Sequence, residues 1–335
     1  MSYTWMEDST GLRSRIVQPM RSFLCAFSFI ALALSSGLYG AEYPVRPIRL
    51  LTSGVGGNGD VTARLLAQGL APRLGQQLIV DNRPSGFTSS EIASRAQPDG
   101  YTLLVLGTTH WMSPLLQKVP YDAIRDFAPV TMVTMTPNVL VVTPSLPVAS
   151  VRELVDLAKA RPGRLNYGAS GTGSSNHLAA ELFKYMTGAD IVYVPYRSSS
   201  ASMIDLIAGQ IQLAFPTGAA AAPLVRSGKL KALAVTTAVP SPSFPELPTV
   251  TDAGVPGYES SSPIAVFAPA GTSRSIIGRL RNEIVAVLHE TQVRDRLRST
   301  GAEPVGSTPE QLANKIRAEV DRMGKVIKAA GIRID

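Results

Sequence analysis

Ile48-Arg-Leu-Leu-Thr-Ser-Gly-Val-Gly-Gly-Asn-Gly-Asp60 sets a short apolar strand, Ile48–Leu51, against a glycine-rich turn, and Val61, Leu65, Leu66 and Leu70 follow at helical spacing. Strand, glycine turn and amphipathic helix in that order make half of a βαβ unit. The alternation continues along the chain. Further strand candidates are Leu78–Val80, Thr102–Leu106, Val139–Val142, Leu165–Tyr167, Ile191–Val194, Ile211–Phe215, Lys231–Val235 and Ile264–Phe267, with helices between them. The pattern predicts an α/β chain.

The first turn also carries chemical content. Glycines let backbone N–H groups converge, and a helix N-terminus favours negative charge. Ser53, Gly54, Val55, Gly56, Gly57, Asn58, Gly59 and Asp60 are therefore candidates to hold a phosphate or carboxylate; a tight turn without a ligand is the plainer reading. The glycine spacing is not GxGxxG, and no Lys-Ser/Thr ending makes it a P-loop. Asp60 is expected at the helix N-terminus, where a carboxylate gains about 0.3–1 kcal/mol, ordering the turn rather than holding a metal.

A second loop repeats the logic. After the strand at Leu165–Tyr167, Ser170, Gly171, Thr172, Gly173, Ser174, Ser175 and His177 precede the helix Leu178–Met186. Hydroxyls around glycines at a helix start offer neutral donors to a carboxylate. A hydrolase using Ser174 or Ser175 with His177 competes with this. The segment is not GxSxG, and no carboxylate can be assigned to the histidine, so no catalytic residue is expected. Thr108 and Thr109, in Gly107–His110, follow a third strand, and Tyr196 and Arg197 follow a fourth. Tyr196 could cover a ligand or pack a corner; Arg197 could pair with a carboxylate or lie solvated. Polar loops at the carboxyl ends of parallel strands suit a cleft between two lobes.

Composition narrows the field. The 335 residues are 45% hydrophobic and 17% charged, which is globular, and the net charge of +7 is dispersed, without basic-aromatic interleaving. Nucleic acid is not an expected partner. Arg21, the apolar run Phe23–Leu34 and small residues through Gly40 and Ala41 form a signal-peptide pattern, too short for the ~20 residues of a membrane span. Met20 offers an alternative start. Cys25, the only cysteine, lies inside that run, so the exported chain would have no disulfide, thiol nucleophile or thiolate metal site. His110, His177 and His289 have no paired ligand spacing, so neither metal nor cofactor is expected.

Two stretches look like crossings between lobes: the proline-bracketed Pro137–Pro147 and the proline-punctuated Ser241–Pro269. They divide the chain into an extension plus signal peptide (1–41), a first lobe (43–142 and 261–335) and an inserted second lobe (143–260). Ser150-Val-Arg-Glu153 and Thr308-Pro-Glu-Gln311 are capping boxes, the latter with Pro309 at the first helical position. Stripes such as Ile276, Ile277, Leu280 and Ile284, or Leu312, Ile316, Val320 and Met323, mark core.

The chain from Tyr43 to its end resembles the Bug family, the extracytoplasmic solute receptors of tripartite tricarboxylate transporters. The landmarks are Asp81-Asn-Arg-Pro84, Pro98-Asp-Gly-Tyr-Thr-Leu103, Tyr121-Asp122 with Asp126-Phe-Ala-Pro129, Gly163 with Leu165-Asn-Tyr167, Val194-Pro-Tyr196, Leu247-Pro-Thr-Val250, Ala253-Gly-Val-Pro-Gly257 and Ala268-Pro-Ala-Gly271. The resemblance implies a type II periplasmic binding fold, two lobes with mixed sheets flanked by helices, closing on a small carboxylate without a cofactor. It implies a periplasmic monomer whose partners are membrane transporter subunits; a sensor partner is the alternative. Backbone N–H groups and hydroxyls of Ser53–Asp60 and Ser170–His177 would hold the ligand. There are departures. Thr52-Ser53-Gly54-Val55 lacks the family's usual prolines, Ser85-Gly-Phe-Thr-Ser89 replaces a glycine-rich turn, and Pro216-Thr217-Gly218 stands where an acid or amide is common. Without that acid beside Thr217 to neutralise an ammonium, a non-aminated acid is the expected ligand.

Overall fold

The computed structural model describes residues 43–83, 86–169, 172–196 and 198–333; the expected extension and signal peptide lie outside the described residues. The unit Pro44–Asp335 contains two mixed sheets. In the first, β1 (Ile48–Thr52) pairs in parallel with β2 (Leu78–Asn82) and β3 (Thr102–Gly107). The parallel crossovers are α1 (Asn58–Leu74) and α2 (Gly86–Ser94), and α3 (Thr109–Leu116) follows β3. The long β4 (Phe127–Pro137) was not anticipated as a strand. Its apolar and threonine residues are buried on both faces, so it shows no alternation by which to find it.

The second sheet begins after a single intervening residue, Asn138. β5 (Val139–Val142) is antiparallel to β8 (Leu213–Ala214) and β9 (Lys231–Val235), while β6 (Leu165–Ala169) is parallel to β7 (Ile191–Pro195) and β8. Helices α4 (Val151–Ala160), α5 (Ser175–Thr187), α6 (Ser199–Ile207) and α7 (Gly218–Arg226) accompany it. Val139–Val142, grouped with the first lobe from sequence, thus hydrogen-bonds within the second sheet, and the crossing falls at Asn138. The chain returns through residues 236–260 to β10 (Ser261–Pro269), which lies antiparallel between β3 and β4. Helices α8 (Arg274–His289) and α9 (Thr291–Ser299), the short β11 (Glu303–Pro304) and α10 (Pro309–Ala330) complete the fold.

Local chemistry sets the helix starts. Thr308 Oγ1 accepts from Gln311 N at 3.1 Å and Gln311 Oε1 accepts from Thr308 N at 2.8 Å, a complete capping box behind Pro309. At α4 the device is shifted: Ser150 accepts from Glu153 N, but the Glu153 carboxylate takes the Ala149 N–H at 2.7 Å. The apolar stripe of α10 packs against β4, α3 and α5, elements that belong to both sheets. One continuous core accordingly joins Leu51, Leu104 and Phe267 of the first sheet to Leu140, Tyr167 and Phe183 of the second half. No helix among the described residues is long and apolar enough to cross a membrane.

The two crossings are held together by one buried hydroxyl. Thr236, directly after β9, accepts from Asn138 N at 3.0 Å through Oγ1, which lies 2.7 Å from Ser260 O, directly before β10. The backbones meet as well: Thr236 N donates to Asn138 O and Ser260 N donates to Thr236 O. Thr236→Val keeps the shape but removes the acceptor, leaving the Asn138 N–H buried and unpaired. The expected cost is about 1–3 kcal/mol. Urea unfolding should show a lower midpoint at an unchanged slope; a midpoint equal to wild type would count against the clasp.

Candidate functional site

The two glycine loops lie at matching places, each between the carboxyl end of a parallel strand and the start of a long helix: β1 into α1, and β6 into α5. Both use the same internal device. Gly56 has φ +83° and donates its N–H to Asp60 Oδ2 at 2.9 Å; Gly173 has φ +79° and donates to His177 Nδ1 at 3.3 Å. A positive φ is what glycine permits and other residues resist. It turns the chain so that the first turn of the following helix can hold the loop from four residues away.

In the first loop, Val55, Gly56, Gly57 and Asn58 are exposed, Ser53 and Gly54 half-buried, and Gly59 and Asp60 buried. Asp60 sits in the first turn of α1 and is only 3% exposed. Its Oδ1 accepts from Asn82 Nδ2 at 2.9 Å and pairs with Arg64 Nε at 2.8 Å. Burial pushes this carboxyl up, but the Gly56 N–H, Arg64 and Asn82 together outweigh it and hold it below the usual carboxylate range. Asp60 therefore orders the loop as an ionised carboxylate, and Arg64 is spent on it. Asn82, which also donates to Ser53 O at 2.8 Å, was quoted from sequence only as a landmark. Its place at the end of β2, beside the glycine turn, was the available signal.

In the second loop, Ser170 and Gly171 lie outside the described residues, as does Arg197. Thr172, Gly173, Ser174 and Ser175 are half-buried, and Ser174 caps α5 by accepting from His177 N. His177 is buried against Tyr193, with ring centroids 4.4 Å apart, and below it Glu181 accepts from Tyr167 Oη at 2.6 Å and from Lys184 Nζ at 2.7 Å. Burial lowers the His177 pKa to about 4, with Glu181 opposing and Lys184 assisting. The imidazole is neutral near pH 7, and its Nδ1 is an acceptor for the loop.

The remaining candidates are less uniform. Thr108 is buried and its Oγ1 has no hydrogen-bond partner among the described residues, whereas Thr109 is exposed. The neighbouring His110 faces the core, not a cleft. It stacks on Tyr121, meets Phe127 and Phe267 at 4.4 and 4.7 Å, and shares a 2.9 Å hydrogen bond with Ser90. Burial holds its pKa down at about 3. Tyr196 donates to Asp205 Oδ2 at 2.7 Å and packs over Gly168. Its phenol is pushed up to about 12 by burial and by Asp205. Thr217 bridges to Asn138 at the crossing. Sequence reasoning missed Asn138 and Ser262. Asn138 is fully buried, and Ser262 Oγ lies 3.2 Å from its Oδ1 and 2.7 Å from Ser175 Oγ.

Two mixed sheets joined by paired crossings, with anion-friendly loops at strand ends, define a two-lobed binding protein of the type II periplasmic fold. Comparisons with known proteins carry this further. Residues 62–332 match the family model described as tripartite tricarboxylate transporter family receptor, and the chain belongs to that family. It is 35% identical over 313 residues to Protein BugT of Bordetella pertussis, covering 91% of this chain and 96% of the relative. Among solved structures it resembles Rpa4515 of R. palustris with adipate (38% identity, TM-score 0.74, covering 87% of this chain and 99% of that one). It also resembles MatC of Rhodopseudomonas palustris with bound malate (29% identity, TM-score 0.71, covering 85% and 100%).

The buried histidine sets a pH expectation. A group whose folded pKa is depressed contributes stability that is complete above its unfolded value, about 6.5 for histidine, and is lost as pH falls towards the folded value. For His177 that window runs from about 6.5 down to about 4. His177→Gln keeps an uncharged acceptor and should make the fall in melting temperature between pH 6.5 and 4 shallower. The remaining fall comes in part from His110. A slope identical to wild type would contradict the assignment of a buried neutral His177.

Proposed function

We propose that the protein is a periplasmic receptor, monomeric and without catalytic turnover, that captures a small carboxylate between its two glycine loops and presents it to membrane subunits of a tripartite transporter. The observation that carries this is the mirrored pair of loops at helix N-termini, in a chain of the tricarboxylate-receptor family. Ser53, Gly54 and the N–H groups of Val55 and Asn58 face one side of the ligand; Thr172 to Ser175 face the other, with Thr108 and Thr109 on the first-lobe side and Thr217 beside the crossing. Backbone dipoles and hydroxyls hold a carboxylate there without a buried cation. The lobes divide at Asn138 and in the return segment 236–260, and close by movement about them.

Acids beside the loops are already committed. Asp60 is paired with Arg64, Glu181 with Lys184, and Asp205 takes the Tyr196 hydroxyl. Among the described residues none of these three is left free to neutralise an ammonium, which favours a non-aminated mono- or dicarboxylate; adipate and malate, held by the two relatives, head the panel of candidates. Hydrolysis by Ser174 or Ser175 with His177 has little support, because His177 Nδ1 accepts the Gly173 N–H and Ser175 Oγ meets Ser262.

A thermal-shift screen tests this directly. A binding carboxylate at 100 times its Kd should add about 2.7 kcal/mol of stability, and EDTA should not reduce the gain. Stabilisation only by sugars or by amino acids, or chemical conversion of the ligand, would overturn the proposal.

A further inference from the structure

The boundary between the two sheets is mostly apolar. Tyr258, Ala179 and Phe183 are fully or nearly fully buried there, and Tyr258 Oη donates to Ala179 O within α5 at 2.9 Å. A polar chain runs through this boundary. Ser262 faces Thr136 across β10 and β4, and Asn138 lies two residues further along the same strand direction, on the same face. The Ser262 hydroxyl has a single proton. Where it donates to Asn138 Oδ1, it accepts from Ser175 Oγ, the first residue of α5. The backbone of Asn138 is in turn fixed by the Thr236 clasp that joins both crossings.

We propose that Ser262 and Asn138 are positioning residues that tie the crossing between the sheets to the second-lobe loop, by holding Ser175 and the first turn of α5 through this hydroxyl–carboxamide chain. Three features carry the assignment. Ser262 is 7% and Asn138 0% exposed, so the link between them is shielded from competing water, while the Ser175 end is half-buried. Its far end is Ser175, beside the Ser174 cap that starts the helix. And Asn138 Nδ2 meets no acceptor among the described residues, so the carboxamide is tethered through Oδ1 alone and can exchange partners when β10 and α5 move apart. Movement at the crossing is thereby transmitted to the loop, and an occupied loop biases the crossing. Apolar side chains of the same volume would fill this boundary without that link.

The meaning for capture rests on the receptor reading, but the link is testable without ligand. Hydrogen–deuterium exchange on the ligand-free exported chain should show Ser262→Ala raising exchange in the 172–180 peptide by roughly two- to tenfold, the effect of losing one buried hydrogen bond. Peptides from β3 and α8 should stay at wild-type rates. Ser262→Thr, which keeps the hydroxyl, should restore protection; if Ser262→Ala does not fold, Ser175→Ala breaks the same link from the other end. Unchanged exchange at 172–180, a rise shared by β3 and α8, or no rescue by threonine would overturn the proposal. Titration of the same variants with adipate adds a separate readout. If wild type binds no carboxylate while the exchange pattern holds, the receptor reading fails and the positioning role stands.

Discussion

The architecture depends on the buried Thr236 hydroxyl, which joins the outgoing and returning chain where both pass between the sheets. Two crossings are a topological necessity once an inserted sheet, β5 to β9, is placed between β4 and β10. What the topology does not dictate is that the two strands stay in register with each other. The hydroxyl does this by pairing with Asn138 N–H, which would otherwise be a buried polar orphan at the exit of β4, and by reaching Ser260 O at the entry to β10. Both sheets are thus anchored to one point.

The two glycine loops are alike in local geometry. Each follows a parallel strand, turns through a positive-φ glycine and is retained by a side chain four residues on, Asp60 in one case and His177 in the other. The chemistry differs while the geometry agrees: an ionised carboxylate, balanced by Arg64 and Asn82, against a neutral imidazole kept so by burial. Both acceptors are consumed internally. On the proposed reading the remaining N–H dipoles and hydroxyls of the two loops form a neutral donor set, which suits one or two negative charges and asks for little reorganisation on binding.

Much of this was legible in the amino-acid sequence, and the gaps have physical causes. The glycine turns, the Ser150 and Thr308 caps and the apolar stripes are local signals, and all appear at the expected residues. β4 was hidden because it is buried on both faces and shows no alternation. The crossing was placed four residues late, because Val139–Val142 is equally apolar in either sheet and only its partners decide. His110, at the end of the stretch Gly107–His110, faces the core because Phe127 and Phe267 pack against it, the latter from far along the chain, and Tyr196 donates to Asp205 nine residues on. Asn138, Ser262 and Asn82 were missed for the same reason: a lone amide or hydroxyl acquires meaning only from what the fold brings against it.

The central claim is that one ligand is held by both loops at once. Amide resonances of 15N-labelled protein, followed during a titration with the carboxylate that stabilises it most, test this directly. The account predicts that Gly56, Gly57 and Asn58 shift together with Gly173, Ser174 and Ser175, along curves that fit a single Kd. Shifts confined to one loop, or saturable binding that leaves both sets unmoved, would contradict it.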